Sequence, residues 1–373
     1  MNKFDVQYIT SSYTLSYGST LMLAGRLSDV YGHKFCLMIG LALFAAFTVP
    51  SAMARSSLEL AIYRAIQGLG ASAISPPLFA ILARSFKHGT TMRTEGFATL
   101  SAGSPLGSSV GLFLGGWLTE FTGPGWKTFF YFSLAFSLCA IICAWIILPP
   151  DPPPTTKKGF KDVDWIGATL LVTGLTVLVA TLSFNTRFGW NLPQMYIPFL
   201  SSHLIVGAFF AWEFFFERKW SRQPLLPLSL FRKRYFAAIQ CVAGLLYMAY
   251  TDHSYFVLQY FQKYLHLSLD DTLVRMLPIL IVGLGLNLVT GHFAHILPAQ
   301  LMIIVGCLST TTACALSSIM NPSASYWAYN FFAIGLSVVG ADFVFSVGAM
   351  FGSNIADDDE QAIAGAVILS STR

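Results

Sequence analysis

The chain has 373 residues, of which 11% are charged, 55% hydrophobic and 15% aromatic, and its formal net charge is +4. Soluble domains carry about 25% charged residues, so this composition excludes an ordinary water-soluble fold, and so small a net charge offers no basic face for nucleic acid. Cys36, Cys139, Cys143, Cys241, Cys307 and Cys314 all fall inside apolar stretches as small hydrophobes, with neither a disulfide framework nor zinc spacing.

The start, MNKFDVQY, lacks the basic, apolar and small-residue succession of a cleaved secretory signal. Apolar stretches of about 20 residues, long enough to cross a bilayer as helices, then fill most of the chain. They are expected at 8–30, 35–54, 58–84, 95–119, 127–148, 164–184, 196–216, 236–260, 272–292, 299–319 and 325–350. Hydrocarbon holds no water to satisfy backbone amides, so the expected fold class is an all-α polytopic membrane protein. Between the fifth and sixth spans, PPDPPPTTKKGFKDV (149–163) is too rich in proline for helix and too basic for lipid, and reads as a linker.

Alternate loops divide the basic residues unequally. One set holds Arg26, Lys34, Arg84, Lys87, Arg93, Lys157, Lys158, Lys161, Arg218, Lys219, Arg222, Arg232, Lys233 and Arg234; the other holds only Arg55, Lys127, Arg187, Lys263 and Arg275. Positive residues are retained on the cytoplasmic side, so the loop after the first span is cytoplasmic and Met1 lies outside. An uncleaved outer start suggests a further helix upstream. EQAIAGAVILSSTR resumes an apolar pattern after IADDDE and stops at Arg373, too short to span with ease, so both ends are expected to be cut.

The first two spans are joined by GRLSDVYGHK, which contains Gly25, Arg26, Asp29, Gly32, His33 and Lys34. Glycine permits tight turning and close backbone approach, and an acid at a helix end pairs with a base or with the positive end of a neighbouring helix; an ordinary charged loop is the alternative. In the third span, LAIYRAIQGLGAS places Arg64 roughly 9 Å along a helix starting near Leu58, at about 1.5 Å per residue. A membrane arginine costs about 2.5–3.5 kcal/mol unless it faces protein or water, so Arg64 either lines the interior or snorkels to the outer interface. Gly103, Gly107, Gly111 and Gly115 recur every four residues in the fourth span, with Gly116 beside them, and form a ridge that would admit a neighbouring helix at close range.

Acids inside the spans are the remaining candidates. Asp342, in SVVGADFVFSVG, lies roughly 12 Å from the cytoplasmic end of its helix. An ionised carboxylate there is costly, so Asp342 faces a cavity or keeps its proton, as a proton carrier must, unless it is a satisfied structural acid. Asp252 and His253 sit in the outer half of their helix among Tyr247, Tyr250, Tyr255 and Tyr260, which line a polar path or mark the interfacial belt. His292 and His295 have i, i+3 spacing but no third ligand, His203 stands apart, and there is no P-loop, HExxH or G-x-S-x-G. No enzyme activity, metal or cofactor is therefore expected.

GRLSDVYGHK closely resembles the loop motif G-x-L-A-D-x-x-G-x-K of the major facilitator superfamily, with Ser28 for the usual small residue and His33 for the usual arginine. Arg64, Gln67, Gly68 and Gly70 resemble its R-x-x-Q-G-x-G signature. The resemblance implies a major facilitator fold of two helical bundles, a loop motif that latches the cytoplasmic side, and an arginine linked to proton transfer. GLFLGG resembles the antiporter motif G-P-x-x-G-G of drug-efflux members, except that Leu112 stands where the proline belongs. DWIGATLLVTGL, Glu213 and Glu217 in FFAWEFFFERKW, and QPLLPLSLFRKRYF resemble the two extra central helices of the 14-helix branch. Within that branch YGHK, DWIGA and GADFVF resemble fungal aminotriazole-resistance and boron-efflux proteins.

The organisation implied is an N-terminal bundle at 1–148, the linker at 149–163, a two-helix insert with its cytoplasmic loop at 164–235, and a C-terminal bundle at 236–373, with the first and last helices of the fold absent. The function implied is proton-coupled export of a small toxic or drug-like molecule across the plasma or vacuolar membrane, by alternating access around a midplane site. Asp342, Arg64 and Asp252 are the candidate proton-coupling residues; protons, a small-molecule substrate and the lipid bilayer are the partners. Uptake of a nutrient or ion, which Leu112 favours, and a non-transporting fragment are the alternatives.

The charge asymmetry predicts that a single cysteine in the loop 187–194 of a cysteine-free chain reacts with an impermeant thiol reagent in intact cells, while one at 157–161 reacts only after permeabilisation. The reverse pattern would invert the orientation.

Overall fold

The computed structural model describes residues 3–87, 90–151, 159, 163–219, 224–293, 297–322, 324–355 and 361–372. Most of the 149–163 linker, the acids of IADDDE and His295 lie outside them. Helices occupy nearly all of the described residues, and no strand occurs among them. In chain order they are α1 (Lys3–Tyr31), α2 (His33–Met53), α3 (Ser57–Ser85), α4 (Thr91–Phe121), α5 (Trp126–Ile147), α6 (Trp165–Phe188), α7 (Pro193–Lys219), the short α8 (Ser229–Arg232), α9 (Phe236–Gln259), α10 (Leu269–Phe293), α11 (Ala299–Ser318), α12 (Asn330–Ile355) and α13 (Gln361–Ser371). Every expected span has its helix. The one expected at 325–350 begins at Asn330, after a 3₁₀ turn over Tyr326–Ala328, and α9 ends in a π turn over Tyr260–Tyr264.

Among the described residues, α2, α3, α5, α6, α7, α11 and α12 are long and apolar enough to cross a membrane by length and composition. Lipid is the fitting solvent for α5, whose Phe136, Trp145 and Ile146 are 69%, 69% and 74% exposed; in water such a row would be an aggregation surface. Prolines within α2, α3, α7 and α10 (Pro50, Pro76, Pro77, Pro198, Pro278) are accommodated, as they are in spans where neighbouring groups re-satisfy the freed carbonyls.

The chain forms two compact units, one from 1–81, 130–234 and 356–370, the other from 82–129, 235–355 and 371–373. In the first, α1 packs against α2 and α6, and α6 against α7. In the second, α12 is the central element, in contact with α4, α9, α10 and α11.

Glycine sets the closest crossings. A Cβ on Gly70 of α3 would lie 2.8 Å from the Phe44 amide nitrogen and 2.9 Å from the Gly40 carbonyl oxygen of α2, and one on Gly68 would lie 2.5 Å from the Tyr13 carbonyl oxygen of α1. In the second unit, Gly340 of α12 meets the Gly306 carbonyl oxygen of α11 at 2.7 Å in the same sense. Backbone atoms cannot rotate away, so these positions admit no side chain.

The ridge expected along α4 is different. Nothing lies within 4 Å of a Cβ on Gly103, Gly107 or Gly111, and Gly115 meets only the Phe129 ring at 3.6 Å. The close approach is made instead by Gly116, whose Cβ would lie 2.6 Å from Leu273 of α10. One residue is about 100° of helix, so the packed face of α4 is turned away from the ridge, and the close helix contact expected there does not occur among the described residues.

These contrasts predict opposite signs for one chemical change. Gly70→Ala should destabilise by about 1–3 kcal/mol through overpacking, whereas Gly103→Ala should be neutral or stabilise by up to about 1 kcal/mol through helix propensity. Thermal unfolding in detergent reads both, and equal losses would restore the ridge as a packing surface.

Candidate functional site

Arg64 projects from the second turn of α3, a depth at which its charge needs company. Its guanidinium lies over the Tyr13 ring of α1, with Cζ 4.1 Å from the centroid, and its Nη1 donates to Gln67 Oε1 at 3.0 Å. Gln67, 1% exposed, passes the polarity on by donating from Nε2 to Thr48 Oγ1 of α2 at 2.7 Å. Two further pairs tie α1 to α3: Thr20 Oγ1 donates to Ser72 Oγ at 2.9 Å, and the Tyr17 hydroxyl to Ser75 Oγ at 3.2 Å. The R-x-x-Q-G-x-G spacing thereby acquires a physical content. Arg64 and Gly68 face α1, Gln67 and Gly70 face α2, and the glycines bring both partners within reach of the polar pair.

The loop between α1 and α2 is built around Gly32, whose φ of +109° only glycine adopts without strain. A side chain there would also run into Asp151, whose Oδ2 is 2.5 Å from the Cβ position. Asp151 takes that space to cap α2. Its Oδ1 accepts from the amides of His33 at 2.9 Å and Lys34 at 3.1 Å, and its Oδ2 from that of Phe35 at 3.1 Å, so three donors left over by helix geometry meet one carboxylate. Lys34 answers in the other direction. Its Nζ donates to the carbonyl oxygens of Trp145 at 3.0 Å and Leu148 at 2.6 Å, the unpaired end of α5, and lies 5.6 Å from the Trp145 ring. The Ser28 hydroxyl and His33 Nδ1 share a hydrogen bond of 2.6 Å. Gly25 gives α13 close access, with Ala362 O and Ala366 Cβ each 3.2 Å from its Cβ position; Arg26 is buried and Asp29 half-buried, and both make further interactions.

In the second unit Asp342 is 2% exposed, and neither carboxylate oxygen meets a hydrogen-bond donor among the described residues. Its register follows from the Gly306–Gly340 crossing two residues earlier. Asp342 Oδ2 lies 4.0 Å from the Cβ position of Gly283 in α10, and Asp342 acts electrostatically on the Tyr250 hydroxyl of α9. Tyr247 continues that face, 6.1 Å from the Tyr250 ring and 5.8 Å from Phe345 of α12. Asp252 is two residues, about 200°, round α9 from Tyr250, and it is exposed; the structure therefore does not bring Asp252 to Asp342. The inward residue is His253, 7% exposed, with Nε2 2.8 Å from Ser317 Oγ of α11. Outside the spans, the Tyr326 hydroxyl donates to the Arg275 carbonyl oxygen at 2.7 Å. Burial pushes this phenol up to about 12, against the opposite pull of the Arg275 guanidinium, so it remains a donor at neutral pH.

Reading the sequence missed Asp151, Tyr13 and Thr48. Asp151 carried the one available signal, an acid directly after the end of a span on the same side as the glycine loop.

The family model of the Major Facilitator Superfamily matches residues 1–372. The chain is 26% identical to "MFS-type transporter 1" of Pyricularia oryzae, over 96% of this chain and 63% of that protein. It is 25% identical to "Efflux pump terJ" of Aspergillus terreus, over 98% of this chain and 70% of that one. The chain thus spans less than two thirds of the length of the first of these relatives. Among solved structures, the human organic anion transporter MFSD10 (TETRAN) matches with a TM-score of 0.64 at 17% identity, over 98% of this chain and 74% of that one, which shows the fold.

The reciprocal caps predict that Asp151→Ala lowers stability by about 1–2 kcal/mol, the size of a lost helix cap with a charge contribution. Lys34→Ala should cost somewhat less, about 0.3–1 kcal/mol, since a lysine near a helix C-terminus is a weaker cap. Denaturation of both variants in detergent measures this, and an unchanged Asp151→Ala would show that its cap contributes nothing to stability.

Proposed function

The chain belongs to the Major Facilitator Superfamily, and from that membership we propose that it exports a small molecule by proton-coupled antiport, with Asp342 as the proton carrier. The observation that carries this reading is a carboxylate 2% exposed with no donor on either oxygen. An ionised carboxylate in that setting is costly, whereas a protonated one is tolerated. The group is therefore suited to take up a proton when sealed and to release it when water reaches it. The efflux pump among the similar proteins supports the direction.

Arg64 has a positioning role in this reading. Stacked on Tyr13 and tied through Gln67 to Thr48, it couples any movement of α1 to α2 and α3. The loop Gly25 to Lys34, with Asp151, holds the cytoplasmic ends of α2 and α5 and acts as the conformational latch. The segment 164–235 supports assignment to the 14-helix branch, and the plasma membrane is the expected location. Uptake is the second reading, favoured by Leu112 in the place of the antiporter proline.

In vesicles with an imposed proton gradient, Asp342→Asn should lower gradient-driven export at least about tenfold, while binding of the exported compound is largely retained. The compound is found by screening toxic molecules against pump-deficient cells. Undiminished export would make Asp342 a structural acid, and accumulation driven in the direction of the protons would favour uptake.

A further inference from the structure

At one end of the second unit the starts of α9 and α11 and the end of α12 enclose a groove of about 370 Å³. Its walls are apolar, with Ala238 and Val242 on α9, Ala299 and Ile303 on α11, and Phe351 on α12; Tyr235 and Gln300 are the polar side chains that line it. From Tyr235 to Val242 it runs about 10 Å along α9, at about 1.5 Å per residue. It closes where Val242 and Cys307 pack against Ala243, Leu246 and Val344.

Further along the same two helices the exposed side chains are apolar, Leu245 and Met248 on α9 and Ile304 and Leu308 on α11. The groove is thus continuous with faces suited to lipid, and an apolar cleft left empty there forfeits the contacts of its lining atoms. Its mouth is positive. Arg232, Lys233 and Arg234 run directly into Tyr235, and consecutive Cα atoms are about 3.8 Å apart, so the chain itself delivers basic residues to the start of α9. Arg232 and Arg234 are exposed. Tyr235 is exposed too and holds φ at +67°, a left-handed conformation costly to any side chain; a tyrosine ring suits the level of lipid headgroups. The N-cap of α11 is Pro298, which has no side-chain acceptor to offer, so the first amides of α11 add the positive end of a helix beside Ala299 and Gln300. The basic run before α9 assigns this end to the cytoplasmic side, where the leaflet carries anionic lipid.

We propose that this groove binds one anionic phospholipid of the cytoplasmic leaflet, an acyl chain lying between α9 and α11 and the phosphate standing at the mouth, within reach of the basic run that leads into Tyr235. The ligand and the site each have an apolar and a charged half. A free anion leaves the groove unfilled, and a lipid without net charge leaves the basic run unanswered. A bound lipid touches α9, α11 and α12 together and stabilises the folded chain according to its occupancy.

The test uses the purified full chain, stripped of lipid in detergent and offered phosphatidylglycerol or phosphatidylcholine of the same acyl chains. Native mass spectrometry should show one phosphatidylglycerol retained under conditions that remove phosphatidylcholine, and Tm should rise with phosphatidylglycerol concentration. Arg232→Gln combined with Arg234→Gln should weaken phosphatidylglycerol binding at least about fivefold. Ala238→Phe, which fills the groove from an exposed position, should abolish retention; should that variant lose its fold, read from its lipid-free Tm, Ala299→Leu takes its place. Glycerol phosphate, the headgroup without chains, should leave Tm unchanged. Asp357, Asp358, Asp359 and Glu360 follow α12 and lie outside the described residues; if they answer the basic run, the two lipids will be retained equally, and the proposal fails. A phosphatidylglycerol preference that survives both the arginine and the groove-filling variants, or a Tm raised as much by glycerol phosphate, would overturn it as well.

Discussion

A polar group without a partner in hydrocarbon costs several kcal/mol, and the helices are arranged so that close packing and polar pairing are achieved together. Gly68 lets α1 approach α3 until Tyr13 reaches under Arg64, and the same approach sets Tyr17 against Ser75 and Thr20 against Ser72. Gly40 and Gly70 do this for α2 and α3, where Gln67 meets Thr48. Filling one of these glycines would separate the helices and strand the side chains that the crossing pairs.

Helix ends obey the same constraint. The first amides of α2 and the last carbonyls of α5 have no partner within their own helices, and each finds one from the other side of the connection. Asp151 follows α5 and caps α2; Lys34 begins α2 and caps α5. Opposite charges are thus set on opposite helix ends, with the macrodipoles favouring both. Sliding either helix along its axis would break both caps, so this contact ties the start of α2 to the end of α5.

The positions of the helices were legible in the sequence because lipid imposes a length and an apolar composition, and because Gly32, Asp164 and Gly189 punctuate the chain where α2 and α6 start and α6 stops. The loop motif and Arg64 were legible as motifs, but their partners were not. Asp151 lies 117 positions from Lys34, and Tyr13 lies about fifty from Arg64, separations at which no periodicity survives. The α4 ridge misled for a related reason. Spacing by four shows that glycines share a face, but which face meets a neighbour is decided by side chains such as Leu273 on another helix. Asp252 and His253 are adjacent in sequence and about 100° apart on α9, so only the packed structure separates the exposed acid from the buried imidazole.

The buried and half-buried acids can be ordered by the donors each receives, since hydrogen bonds to a carboxylate favour its charged form and burial without them disfavours it. Asp151 receives three backbone amides and stands at the positive end of a helix. Asp164 receives an amide and an indole, Glu213 the Leu226 amide at 3.3 Å on one oxygen and, among the described residues, no donor on the other, and Asp342 none among the described residues. That order runs from the acid given most donors to the acid given fewest, without reference to any motif. Asp151, which sequence patterns did not single out, is the best-supplied acid of the four. Asp342 is supplied least among the described residues, on a helix that packs against four neighbouring helices.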